Sequence, residues 1–166
     1  AGGRLAARVD GLQNRYSVSL WFWNGMPVEG RDVTGWMFSR GRDHGRSPHG
    51  DHLGLGGTAS KPGRLIFQHG HEATGAQPAV GQTAIERWTW NHVALVRDGD
   101  QVRVYLNGNA RPEIETTAAA KFPPGLEQLF IGGRCDRSHN FEGRLDEVAV
   151  FDRVLSAKEI AALAGR

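Results

Sequence analysis

Apolar and polar residues alternate in short runs along most of this chain, and glycine separates one run from the next. The clearest run is RYSVSLWFWN, in which Tyr16, Val18, Leu20 and Phe22 fall on one face and Ser17, Ser19, Trp21 and Trp23 on the other. A period of two predicts a strand with its first face in a core. The two Trp on the second face predict that this face is covered as well, by another element or by a ligand. VTGWMFSRG, DHLGLGG and GRLIFQHG read as three further strands of a meander, the first two separated by the long polar loop RGRDHGRSPHGD. In WNHVALVRDGDQVRVYLNG two alternating runs flank Asp98-Gly99, a strong hairpin signal because both turn residues tolerate the left-handed backbone a tight turn needs. EQLFIGG and FEGRLDEVAVFD complete the strands. After Asp146 the last of these carries apolar residues on both faces, as a central strand requires. SAKEIAALAGR then changes to helical spacing, with Ser156 as N-cap and Glu159 at the capping-box position. A helix over 156–164, bringing Val154, Leu155, Ile160 and Leu163 onto a sheet edge or rim, is expected.

Strand after strand with one terminal helix predicts an all-β antiparallel two-sheet sandwich, jelly roll or barrel. At 166 residues the chain fits one domain, residues 1–166, able to bury a core without cross-links. No apolar run reaches the ~20 residues of a membrane helix, so membrane insertion is not expected. Twenty Lys and Arg oppose 18 Asp and Glu, a net charge of +2. The basic residues are scattered, which argues against nucleic acid as a partner. The chain opens directly on AGGRLAARVDG, without a charged and then apolar leader, so any signal peptide or upstream domain is expected outside this segment.

The candidate chemistry is that of recognition. Glycoside hydrolysis needs two carboxyls held about 5 to 9 Å apart, and the only dense acidic segment is EGRLDE, where Asp146 and Glu147 alternate to opposite faces. There is no Gly-x-Ser-x-Gly elbow and no phosphate-binding loop. The single Cys135 reads as a small residue at a strand end. Catalysis is therefore not expected. His44, His49, His52, His69 and His71 lie in two nearby strand-loop segments, and His69-x-His71 would direct two imidazoles to one strand face. Of the five Trp, Trp36 beside the polar loop is the one expected to be partly exposed. The loop from Arg40 to His52 and the turn His69–Glu72 form the expected recognition rim, with Trp36, Asp51, His52 and His69 as candidate ligand-binding residues.

Taken in order, YSVSLWFW, WNHVALVRDGDQVRVYLNGN, LFIGGR and FEGRLDEVAVFDRVLSAKEIAAL resemble the laminin G-like modules of bacterial multidomain proteins, in the concanavalin A-like lectin and glucanase superfamily. The resemblance implies a concanavalin A-like jelly roll. It further implies a non-catalytic binding or adhesion module for carbohydrate or a cell-surface protein, tethered to other domains of a secreted or envelope-associated chain. A structural domain packed on a catalytic domain of the same chain, and a glycan-cleaving enzyme, are the alternatives. It also implies Ca²⁺ as a cofactor, with Asp146 of the Gly-x-Leu-Asp-Glu-Val strand as ligand; the other reading makes Asp146 an acceptor for backbone or Arg hydrogen bonds. The Glu-x-Asp-x-x-Glu spacing of related glucanases is missing.

Overall fold

The computed structural model describes residues 3–165. Eleven strands run in the order β1 (Leu5–Arg8), β2 (Arg15–Asn24), β3 (Val33–Arg40), β4 (Asp51–Gly56), β5 (Arg64–His69), β6 (Ala79–Ala84), β7 (Trp90–Asp98), β8 (Gln101–Leu106), β9 (Ile114–Thr117), β10 (Gln128–Ile131) and β11 (Gly143–Phe151), followed by helix α1 (Ala157–Ala164). They form a six-stranded sheet, β1-β10-β3-β4-β5-β6, and a five-stranded sheet, β11-β2-β7-β8-β9. All the strand pairings are antiparallel. The result is the expected two-sheet sandwich.

Period-two alternation builds the core. Tyr16, Val18, Leu20 and Phe22 on β2 and Val93 and Leu95 on β7 meet Phe38, Leu53, Leu55, Leu65 and Phe67 from the opposite sheet. Each such side chain, fully withdrawn from water, stabilises the fold by about 1.5–3 kcal/mol before entropy is counted. A second, smaller cluster lies outside the five-stranded sheet, where Leu155 and Ile160 cover Ala94, Val96 and Tyr105. Helix α1 thus covers the Ser17–Ser19 end of that face. Its start is fixed as the sequence predicts: Ser156 Oγ accepts from the Glu159 N–H, and the Glu159 carboxylate accepts from the Ser156 N–H.

Two expectations are corrected. β11 is an edge strand, not a central one, and a bulge interrupts its register between Asp146 and Ala149. The extra residue moves the apolar positions to the other face, which is why both faces look apolar in the sequence. His69 and His71 do not share a strand face either. β5 ends at His69, and Gly70 at φ +80 turns the chain so that His71 caps a single 3₁₀ turn, Glu72–Thr74.

Candidate functional site

The four candidate ligand-binding residues separate onto two faces of the six-stranded sheet. Asp51 and His69 share parity with Leu53 and Phe67 and point into the sandwich. His52, Trp36 and Gln68 point outward, under the loops. Successive residues of a strand project to opposite sides, so Asp51 and His52 are divided by the backbone itself.

The inward pair belongs to a buried clamp between the sheets. Asp51 and Arg97 are both fully buried, and the guanidinium of β7 donates to both carboxylate oxygens, from Nε to Oδ2 at 2.9 Å and from Nη2 to Oδ1 at 2.5 Å. Tyr16 O–H donates to Asp51 Oδ2 at 2.6 Å, and His69 Nδ1 lies 2.6 Å from Oδ1. Arg97 Nη1 donates to the Gly99 and Ala118 carbonyls. Burial alone would raise the Asp51 pKa; the bonds from His69 and Arg97 outweigh it and hold the carboxyl well below its usual range. The same burial, with the Asp51 charge beside it, pushes the Tyr16 phenol well up.

The outward residues lie under a cleft of about 200 Å³. Val33, Trp36 and Ile66 supply its apolar surface, and Asp32, Ser60, Gln68, Glu72, Arg134 and His139 its polar groups. Trp36 lies across Gly54 on the neighbouring strand, where a Cβ would stand 2.5 Å from the Gly35 carbonyl oxygen and 2.9 Å from the indole. Only glycine leaves room for the ring there. The His52 imidazole meets the indole edge-on at 5.8 Å, and the Arg134 guanidinium lies over it at 5.2 Å. Trp36 is consequently 1% exposed, against the expectation of partial exposure, while Trp88 (62%) and Trp90 (44%) at the hairpin entry are the exposed ones. Indole Nε1 of Trp36, Oγ of Ser60 and Nδ1 of His139 are all buried without a hydrogen-bond partner, and all three residues line this cleft. Such groups are rare because each forfeits bonds it would make in water.

One wall is a network of charges. Arg134 donates from Nη1 and Nη2 to the two Glu72 oxygens (2.6 and 2.8 Å) and from Nε and Nη2 to the two Asp136 oxygens (both 2.9 Å). His71 Nδ1 accepts the Ala73 N–H, so the ring proton resides on Nε2 and is donated to Asp136 Oδ2 at 2.9 Å. Arg134 bonding lowers the Glu72 pKa to about 2. For Asp136, burial works upward and the bonds from Arg134 and His71 pull the carboxyl below its usual range. Burial, reinforced by the Arg134 charge, pushes the His52 imidazole down to about 3, so it is neutral, with Nδ1 2.8 Å from Ser39 Oγ. Burial also lowers His139 and raises the Cys135 thiol.

Of the sequence-stated candidates the cleft gathers Trp36, with His52 behind it, and leaves Asp51 and His69 in the clamp. Ser60, Gln68, Arg134 and His139 were not singled out. The available signal was GGRCDRSHN, a charged segment between two strands. Asp146 lies on the far sheet, exposed, with Oδ1 accepting from the Glu147 N–H at 2.8 Å. Ca²⁺ takes six to eight oxygens, and among the described residues no group of three His, Cys, Asp or Glu side chains is placed to hold a metal.

No helix among the described residues is long and apolar enough to cross a membrane. No curated protein sequence matches the chain. Among solved structures it is similar to domain 4 of AbnA, a GH43 extracellular arabinanase from Geobacillus stearothermophilus, solved in complex with arabinotriose. The TM-score is 0.66 at 22% identity, over 91% of this chain and 66% of that one, just under two thirds of its length. It is similar also to the CBM40 of the Ruminococcus gnavus IT-sialidase, with a TM-score of 0.71 at 18% identity over 93% of this chain and 85% of that one. A SAP-like pentraxin from Limulus polyphemus aligns with a TM-score of 0.63 at 18% identity, over 92% of this chain and 70% of that one. At these identities the likeness is one of fold. The laminin G model of the concanavalin A-like lectin/glucanases superfamily matches residues 2–161, and with the two-sheet architecture this shows that the chain belongs to that superfamily.

Proposed function

We propose that this chain is a non-catalytic carbohydrate-binding module and that the cleft over Trp36 receives a neutral sugar. The observation that carries the reading is that three residues with unpartnered buried polar groups, Trp36, Ser60 and His139, line one partly apolar cleft. A sugar presents C–H faces to apolar surface and hydroxyls that donate and accept, so it can satisfy such groups without introducing charge. A carboxylated sugar needs an uncommitted cation, and Arg134 is already committed to Glu72 and Asp136. The fold relatives support the class: AbnA domain 4 was solved with arabinotriose and the CBM40 with α2,3-sialyllactose. Charge at the wall favours the neutral ligand of these two.

Electrostatics also support binding without hydrolysis. A general acid for glycoside cleavage needs a raised pKa, whereas the Glu72 carboxyl at the cleft is lowered. By analogy with the extracellular arabinanase, the module operates outside the cytoplasm as an accessory domain of a longer chain.

A glycan array followed by calorimetry tests this. Neutral oligosaccharides are expected to bind, sialylated ones to bind no better than their asialo forms, and Ala59→Trp, at the exposed lip of the cleft, to abolish binding while the melting temperature is kept. Absence of binding to every neutral glycan, or binding indifferent to Ala59→Trp and Ser60→Ala, would overturn the proposal.

A further inference from the structure

Four of the five Trp lie on or beside the outer face of the other, five-stranded sheet, beyond the part covered by α1. Trp21 and Trp23 on β2 pair with His92 and Trp90 on β7, and Trp88 precedes them. On the edge strand β11, Asp146 pairs with Trp21. Regular alternation would send Glu147 to the opposite face. Instead Glu147 takes the left-handed conformation, φ +47, within the bulge that ends the Asp146 register. A non-glycine residue held there is strained, and bulges of this kind re-aim side chains. The outcome is a groove of about 200 Å³ lined by two indoles, Trp21 and Trp90, and two carboxylates, Asp146 and Glu147.

Charge decides what this groove fits. Among the described residues neither carboxylate has an ion-pair partner, although the neighbouring aromatics do attract cations: Arg144 lies over Trp23 at 5.1 Å and Arg87 over Trp88 at 4.3 Å. The groove holds two carboxylates against the six to eight oxygens Ca²⁺ takes, and its indole faces add none. Aromatic faces combined with carboxylates are the chemistry that recognises an organic cation, through attraction to the ring quadrupole and direct charge pairing. We infer that the Trp21–Trp90 groove binds an organic ammonium group, carried either by an amino sugar or by a quaternary amine. This inference does not rest on the sugar cleft, which lies on the opposite sheet.

Tryptophan fluorescence of the intact chain, titrated with glucosamine and with choline chloride at matched ionic strength, tests the inference. N-acetylglucosamine, which has the sugar but no charge, and sodium chloride are the controls. A saturable change with at least one amine and none with sodium chloride is expected, and any response to N-acetylglucosamine should be lost in Ala59→Trp, at the lip of the Trp36 cleft. Affinity should fall roughly tenfold in Glu147→Gln and in Trp90→Ala, the size of a lost partly desolvated cation–π or charge contact. Ala59→Trp should leave amine binding unchanged, which separates this site from the cleft. Stronger binding of glucosamine would identify the amino sugar as the source, and stronger binding of choline the quaternary amine. No saturable response to either amine, a response to N-acetylglucosamine that equals the amine response and persists in Ala59→Trp, or unaltered amine affinity in both groove variants would refute the inference.

Discussion

Replacing Asp51 by Asn tests the buried clamp, because the substitution keeps the shape of the side chain and removes its charge. Arg97 then remains fully buried with its Nε and Nη2 donors facing an amide instead of a carboxylate. Breaking a buried ion pair from one side costs about 3–5 kcal/mol, since the surviving charge is uncompensated. That is a large part of the ~5–15 kcal/mol by which a domain is stable. For a domain of this size each kcal/mol moves the melting temperature by about 2–4 °C, so a fall of about 6–20 °C is expected. Urea unfolding of Asp51→Asn, Arg97→Met and the double variant Asp51→Asn/Arg97→Met gives the coupling. The double variant should be less destabilised than the two single effects predict, by more than about 2 kcal/mol, because it leaves no orphaned charge. A loss under about 1 kcal/mol for Asp51→Asn, or additive effects, would show that the clamp does not join the sheets as described.

Three further outcomes follow from the packing. The neutral His52, with its pKa held near 3 by burial, binds its proton later than the unfolded chain does. Stability should therefore fall by about 1.4 kcal/mol per pH unit as pH drops below about 6.5, and urea midpoints measured between neutral and acid pH should flatten in His52→Gln. Ser156→Ala removes the Oγ that accepts the Glu159 N–H, leaving the backbone N–H of residue 156 to donate to the Glu159 carboxylate, and should cost about 1 kcal/mol in denaturant unfolding. Gly54→Ala would drive a Cβ into the Gly35 carbonyl and the Trp36 ring. It should lower the melting temperature and change the near-ultraviolet circular dichroism of the indole.

The sequence pattern reveals strands according to how many of their sides are covered. β2 and β7, each paired on both edges, carry long alternating runs, and the turn at Asp98-Gly99 marks their hairpin partner. The strands with no sequence-based expectation, β1, β6 and β9, all lie at sheet edges, and β11, misread as central, is the fourth edge. Edge strands are short and half solvated, as LAAR and IETT are, so burial imposes little pattern on them. The candidate site was legible in part for a related reason. Trp36, His52 and the His69–Glu72 turn all come from the β3–β5 meander and its following turn, so they are close to one another in sequence. Arg134 and His139 reach the cleft from a loop almost a hundred residues away, joined to it through Trp36 N–H donating to the His139 carbonyl at 2.9 Å. Parity hid the division of Asp51 from His52, because facing direction depends on which side of the sheet becomes core. The bulge at Glu147 hid the second groove, since strict alternation separates the two carboxylates that the backbone brings together.

The central claim, that the Trp36 cleft is the sugar site, is tested most directly by indole N–H resonances in a ¹H–¹⁵N spectrum, where five Trp give five signals assignable by single Trp→Phe variants. Titrated with a neutral oligosaccharide selected on the array, the Trp36 Nε1–H signal should move most, because it gains a hydrogen-bond partner it lacks in the free protein. The Trp21 and Trp90 signals should stay in place. Movement of Trp21 and Trp90 with Trp36 unchanged would put the sugar on the opposite sheet and contradict the account.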